Sequence, residues 1–252
     1  MTNSIFVESI SDSVARLVVA TPECPYLGAN SVSQLELAVE QLKNMPNLAA
    51  VVVTGTPENF CLGASRDALL SVDPSVGLSN YIEYFADVPR LLLSIPVPTI
   101  AAMRGHGIGG GFLLGLWCSS FVLAEECLYG ANFMAIGITP GMGATCIVEE
   151  ILGGPVGRQL LFSGRCFTGR ELGKFAPQTK HCVAPRAEVE ERALEIAERW
   201  SEQHVLSIKL LTETLNRKRL KLLDEAVEDE IRMHGQLFEL PTIREEIAAR
   251  YT

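Results

Sequence analysis

The sequence predicts an α/β fold built on a parallel sheet that coils right-handedly. Three observations predict it. Apolar runs such as Val51-Val52-Val53 and Ile100-Ala101-Ala102-Met103 alternate with segments of helical periodicity such as Ser31 to Lys43. That alternation implies βαβ connections, whose crossovers are right-handed. Hydrophobic residues make up 48% of the 252, enough for one large core. The run Ile100 to Leu116 joins an apolar strand, a glycine cluster and an apolar helix.

The elements follow in order. Ile5 to Val7 and Val14 to Ala20, separated by Ser11-Asp12-Ser13, read as an opening hairpin. Ser31 to Lys43 places Leu35, Val39 and Leu42 on one face behind a serine cap, so it reads as a helix. Leu48 to Thr54 is a strand, Asn59 to Ser65 a loop, and Asp67 to Val72 the start of a helix. Asp73 to Ser79 reads as a mobile flap. Asn80 to Ser94 is helical, with Ile82, Phe85, Leu92 and Leu93 as its apolar set, and Pro96 and Pro98 end it. Ser120 to Leu123 and Tyr129 to Asn132 are short strands. Helices follow over Ile147 to Leu152, Pro155 to Phe162 and Pro185 to Gln203, then Val205 to Arg217 and Leu220 to Phe238; Thr168 caps another. The organisation expected is a core over 1–185 and a helical region over 186–252.

Charge and cysteine usage exclude several classes. A net charge of −9 argues against general nucleic-acid or membrane-surface binding. The seven cysteines show no CxxC and no Cys/His ligand spacing, so reduced buried thiols in a cytoplasmic protein are expected. Met1 to Ile10 lacks a basic n-region and an apolar h-region, and the apolar run Ile108 to Cys118 is too short and Gly-rich to span a bilayer.

The chemistry centres on Gly105-His106-Gly107-Ile108-Gly109-Gly110-Gly111. A strand, a glycine turn and a helix start leave peptide N–H groups aimed outward, with the helix dipole behind them. Such a place holds a phosphate or the oxygen of a polarised carbonyl, or is simply a tight packing turn. There is no Gly-Lys-Ser/Thr ending and no GxGxxG spacing, which disfavours phosphate.

Two further stretches join it: Asn59-Phe60-Cys61-Leu62-Gly63-Ala64-Ser65, and Tyr129 to Met134 followed by Gly137-Ile138-Thr139-Pro140-Gly141-Met142-Gly143-Ala144-Thr145. In order and spacing, over nearly the whole chain, these motifs resemble the crotonase (enoyl-CoA hydratase/isomerase) superfamily. The resemblance implies a spiral of ββα turns with C-terminal helices that cover the site and form trimers or hexamers. It implies an oxyanion hole for a thioester oxygen, made by the N–H groups of Ala64 and Gly110. Each such donor lowers a barrier by roughly 3–4 kcal/mol.

The family's hydratases place two glutamates over this hole. The matching positions here are Leu113 and Phe133, neither of which moves a proton, so little or no hydratase activity is expected. With Asn132-Phe133-Met134 and Pro140 to Thr145, the pattern resembles the decarboxylating crotonase of polyketide β-branching cassettes. That resemblance implies a methylglutaconyl group on an acyl carrier protein or CoA thioester, loss of carbon dioxide through a thioester dienolate, and no metal or organic cofactor.

In that subgroup a C-terminal histidine is catalytic, and Ile231 to Phe238 matches its segment, so His234 takes the role of holding the substrate carboxylate or supplying the proton. The subgroup's lysine and tyrosine are replaced by Val72 and Ala68. With no lysine between Lys43 and Lys174, Arg66 is the nearby cation that could meet a carboxylate. Asn132, Phe133 and Leu113 are assigned to the substrate. His106 reads as a structural turn residue, His181 and His204 as surface, and Glu125 and Glu126 as a solvated turn. Asn216 to Lys221, a basic run, reads as a solvated face, or as a docking site for an acidic carrier protein or a nucleotide phosphate. The alternatives are an enoyl-thioester isomerase or hydratase acting on CoA substrates, and a non-catalytic carrier-binding homologue.

Overall fold

A computed structural model describes residues 5–28, 30–70 and 84–251. The chain opens with β1 (Phe6–Ser9) and β2 (Val14–Val18), an antiparallel hairpin, followed by α1 (Ser31–Lys43). The helix has the predicted bounds, but Asn30 holds the N-cap position; the Ser31 hydroxyl instead accepts a bond from Gly28 N–H at 2.8 Å.

Three turns of the same design follow. Each has a strand in a large sheet, a strand in a small sheet, then a helix. They are β3 (Ala50–Thr54), β4 (Asn59–Cys61) and α2 (Arg66–Leu70); then, after α3 (Asp87–Leu93), β5 (Thr99–Met103), β6 (His106–Ile108) and α4 (Gly110–Leu116); then β7 (Ser120–Ala124), β8 (Leu128–Gly130), a 3-10 turn over Asn132–Ile136 and α5 (Ala144–Leu152). The remaining elements are α6 (Gly154–Ser163), β9 (Phe167–Thr168), α7 (Gly169–Phe175), β10 (Val183–Ala184), α8 (Val189–Ser201), α9 (Val205–Phe238) and α10 (Ile243–Arg250).

The large sheet runs β1-β2-β3-β5-β7-β10 and is parallel beyond its first hairpin; the small one runs β4-β6-β8-β9. Strands β3 and β5 are buried along their whole length, which explains their unbroken apolar runs: a parallel sheet covered on both faces has no polar side. Tyr129 ties the sheets together. Its hydroxyl donates to Met103 O and accepts from Ala124 N–H at 2.9 Å. Helix α8 packs its buried Val189, Ala193 and Ala197 toward the large sheet.

The boundaries differ from expectation in several places, and Asn59–Cys61, read as part of a loop, is strand β4. His106–Ile108, read as a turn, is a strand, because it pairs with both β4 and β8. The two helices expected over 205–217 and 220–238 are one, since no Gly or Pro lies between them and Asn216, buried, donates to Leu93 O at 2.9 Å. The helix expected from Pro185 begins as a 3-10 turn at Arg186. Thr168 does cap α7, in a reciprocal box with Glu171. The flap expected over Asp73 to Ser79, Val72 and Ile82 lie outside the described residues. No helix among the described residues is long and apolar enough to cross a membrane.

Candidate active site

The site lies where the small sheet ends. Strands β4, β6 and β8 are parallel neighbours, in register at Cys61↔Gly107 and Ile108↔Gly130. Residues a few places beyond each strand therefore arrive side by side: Ala64 after β4, Gly110 after β6, Asn132 and Phe133 after β8. All four line one cavity with Leu27, Leu69, Met142 and Tyr251 among its other walls. This is the general place for a site in a parallel sheet, outside the carboxyl ends of the strands.

Glycine makes the approach possible. Gly63 adopts φ +68°, and a Cβ there would come within 2.9 Å of Gly110 N. Gly111 allows no side chain at all, since its Cβ would sit 2.0 Å from the carbonyl oxygen of Cys61. Gly110 is the first residue of α4, so its N–H has no partner within that helix and lies at the positive end of the dipole. At the other end of α4, Arg219 donates to Leu116 O at 3.1 Å and lies over the Trp117 ring. Burial lowers the pKa of this guanidinium. A cation thus meets the negative end of the helix whose positive end lies at the cavity.

The cavity is apolar and small. Among the described residues lining it there is no aspartate or glutamate, and the polar side chains are Asn132 and Tyr251. Its volume is about 40 Å³, little more than one water's share of bulk liquid. An acyl chain enters only when wall side chains move aside. Met142 is one such wall. It is a non-glycine residue at φ +61°, a strained conformation held by a 2.9 Å bond from Trp117 Nε1 to its carbonyl oxygen. A Cβ on Gly110 would meet its sulfur at 2.7 Å, so this side chain covers Gly110.

Leu113, assigned to the substrate from sequence, is placed differently. It is fully buried in the core and is not among the cavity's described walls. Phe133 does line the cavity. Arg66 faces the mouth rather than the interior. Its guanidinium donates to Ala248 O at 3.1 Å and borders an outer depression shared with Tyr26, Leu62, Asn132 and Tyr251.

His234 is 2% exposed and lies behind the cavity wall, not along it. Its Nε2 is 3.0 Å from Pro140 O, and its ring stacks on Phe238. A carbonyl only accepts, so Nε2 carries the proton in this bond. Pro140 directly precedes the wall residues Gly141 and Met142. His234 is thus in contact with the residue that leads into the wall and is not itself among the described lining residues.

Sequence reasoning missed Glu230, Tyr251 and the helix that carries Tyr251. Glu230 is 1% exposed; one carboxylate oxygen accepts from Gly143 N–H at 2.8 Å, the other from Thr145 N–H at 3.0 Å and its hydroxyl at 2.8 Å. It caps α5 and so fixes the Met142 loop. Burial raises its pKa despite these donors. The signal was available: Asn216, Arg219, Leu223, Val227, Glu230 and His234 share one face of α9 at helical spacing, and that face is the buried one. Tyr251 donates to Ala64 O at 2.6 Å. Helix α10 is held there by Arg66 and by Arg244, which donates to Leu70 O at 3.2 Å.

The remaining assignments are structural. His106 Nδ1 accepts from Leu128 N–H at 2.9 Å, and burial lowers its pKa. His181 and His204 are exposed. Glu125 pairs with Arg170 at 2.7 Å, and Glu126 accepts from Arg186 N–H, so this turn is bonded to its neighbours and not merely solvated. The basic run divides: Asn216 and Arg219 turn inward, while Arg217 pairs with Glu213 in solvent. All seven cysteines are free, and burial pushes the Cys61 and Cys118 thiols up to about 12, which keeps them neutral. No group of metal-ligating side chains occurs among the described residues.

The fold is that of a crotonase, and residues 9–251 match the enoyl-CoA hydratase/isomerase family. The chain belongs to that family. Within it, the chain is 34% identical to the bacillaene synthase decarboxylase PksI of Bacillus subtilis, covering 100% of this chain and 99% of that one. A solved structure from a dehydratase/decarboxylase enzyme couple involved in polyketide β-branching superposes with a TM-score of 0.87 at 29% identity, covering 99% and 100% of the two chains. The decarboxylase domain of CurF from Lyngbya majuscula shares the fold, with a TM-score of 0.83 at 23% identity over 98% of this chain and 99% of that one.

Proposed function

We propose that this protein is a carboxy-lyase of polyketide β-branching, removing carbon dioxide from a methylglutaconyl-type thioester carried on an acyl carrier protein. The observation that carries the reading is that Ala64 and Gly110 line one apolar cavity whose described walls contain no carboxylate. The similarity to decarboxylases over the full chain supports it.

The chemistry follows from that setting. The thioester carbonyl oxygen sits between the N–H groups of Ala64 and Gly110. The bond from carbon to carboxylate breaks, its electron pair passes through the conjugated chain to that oxygen, and carbon dioxide leaves. Two preorganised donors stabilise the resulting dienolate by several kcal/mol. Apolar walls favour loss of a carboxylate's charge over its retention. Water addition is suppressed, because Phe133 stands where a hydratase keeps a general acid or base. The dienolate then takes a proton and the product leaves. His234, through Pro140, keeps the Gly141–Met142 wall in place for this sequence. The thioester is the electron sink, so the reaction uses no further cofactor.

The region over 186–252 serves as the cover of the site. Exposed Leu206, Leu210, Leu211 and Leu215 on α9 are suited to burial between subunits of a trimer or hexamer.

The test is incubation with methylglutaconyl carrier protein and intact mass spectrometry. A loss of one carbon dioxide per carrier, slowed in His234→Ala, is the expected result. Deuterium exchange without loss of mass would replace this reading by an isomerase. Tight carrier binding without turnover would replace it by a silent carrier-binding homologue.

A further inference from the structure

We propose that Tyr251, the penultimate residue, is the proton donor that quenches the dienolate. The inference rests on the decarboxylase reading above. A dienolate must be protonated at carbon, and the group that does so must reach the cavity. Among the described residues lining that cavity, Tyr251 alone carries an ionisable side chain; Asn132 is the only other polar one. His234 is behind the wall, and Arg66 is at the mouth. The Tyr251 hydroxyl is also well placed. It bonds the carbonyl oxygen of Ala64, at 2.6 Å, the same residue whose N–H holds the thioester oxygen. The phenol therefore stands beside the carbonyl end of the bound chain, where the α carbon lies. Tyr251 also borders the outer depression, so its far side meets solvent.

The state of the group suits the task. Burial and the nearby Tyr26 raise its pKa, which keeps the phenol protonated at neutral pH. A thioester α C–H is a far weaker acid than a phenol, so transfer to the dienolate carbon runs downhill. The step balances. The O–H bond of Tyr251 breaks, a C–H bond forms with the dienolate's electron pair, and the carbonyl is restored in the hole. The phenolate left behind regains its proton from water at the mouth.

The experiment is single turnover of methylglutaconyl carrier protein in D2O by wild type and Tyr251→Phe. Carbon dioxide release is followed separately from deuterium position and stereochemistry in the product. Wild type is expected to place one deuteron at one carbon and one face. Tyr251→Phe is expected to slow protonation about a hundredfold, the usual contribution of a positioned general acid, and to scatter the deuteron between the α and γ carbons. Protonation within about twofold of wild type, at the same carbon and face, overturns the inference. So does a slowed variant with unchanged placement, which would make Tyr251 a positioning residue only. If Tyr251→Phe does not fold, a fluorinated tyrosine at 251 keeps the shape and raises the acidity. Faster protonation supports the assignment, and an unchanged rate overturns it. Wild-type protein that releases no carbon dioxide sinks the decarboxylase reading itself, whereas wild-type turnover with an indifferent variant sinks this inference alone.

Discussion

The hole proposed at the ends of β4 and β6 is made of main chain, whereas the cover proposed for α9 and α10 works through side chains. Ala64 and Gly110 contribute only peptide groups, brought together by strand register and by glycines that admit no Cβ. The cover holds on through Asn216, Arg219, Glu230 and His234 on one helix face, and through the bonds of Arg66, Arg244 and Tyr251. A main-chain device tolerates many side chains around it but almost no change in its glycines. A side-chain device is redundant, so single losses weaken it by degrees. The two regions therefore answer substitution differently.

The largest effect is expected at Gly63. An alanine there must adopt φ near +68° and press a methyl within 2.9 Å of Gly110 N. The strain is of order 1–3 kcal/mol. The hole's geometry suffers more than the fold, because one misplaced donor costs about 10²–10³ in kcat. Gly63→Ala should thus lose decarboxylation by that factor while its melting transition remains cooperative. Retained turnover would show that the paired amides are not the seat of catalysis.

A smaller but still large effect is expected at Glu230, on stability. Replacing it by alanine strands Gly143 N–H, Thr145 N–H and the Thr145 hydroxyl in a buried place. Each unmet donor costs about 1–3 kcal/mol, so chemical denaturation should show a loss of about 3 kcal/mol or more. Glu230→Gln keeps one acceptor and should recover part of it. A loss below about 1 kcal/mol would mean that the α5 loop finds other partners, and that this clamp is dispensable.

The same division decides what the sequence revealed. Glycine clusters and apolar strand runs are local patterns with a direct backbone meaning, so the fold class and the α1 bounds could be read from them, whereas Ala64 and Gly110, which line one cavity, were picked out through the family resemblance. Polar residues on a long helix carry no such meaning until the buried face is known. Glu230 looked like one acid among many on a helix, and the basic run hid that Arg219 turns inward while Arg217 does not. His234 was found through its motif, yet its place behind Pro140 depends on how α9 packs. Leu113 shows the opposite failure. Its place in the motif was plain, but whether a side chain of a fully buried helix meets the cavity or the core depends on packing, and Leu113 is buried in the core.

The smallest effect on stability, and the sharpest probe of the cover, is expected from Arg66→Ala combined with Arg244→Ala. Arg66 and Arg244 donate to Ala248 O and Leu70 O from partly exposed positions, so each bond contributes only about 0.5–1 kcal/mol. The two together should lower stability by about 1–2 kcal/mol. They nonetheless hold α10 against α2, and α10 carries Tyr251 to the cavity wall. Amide hydrogen exchange over 243–250 should therefore quicken far more than exchange in the core strands, because the opening is local. Turnover should fall beyond what the small loss of folded protein explains. If turnover follows the folded fraction alone, α10 is held by its buried Ile243 and Ile247 rather than by its polar bonds. In that case the cover resembles the hole in depending on packing more than on any named hydrogen bond.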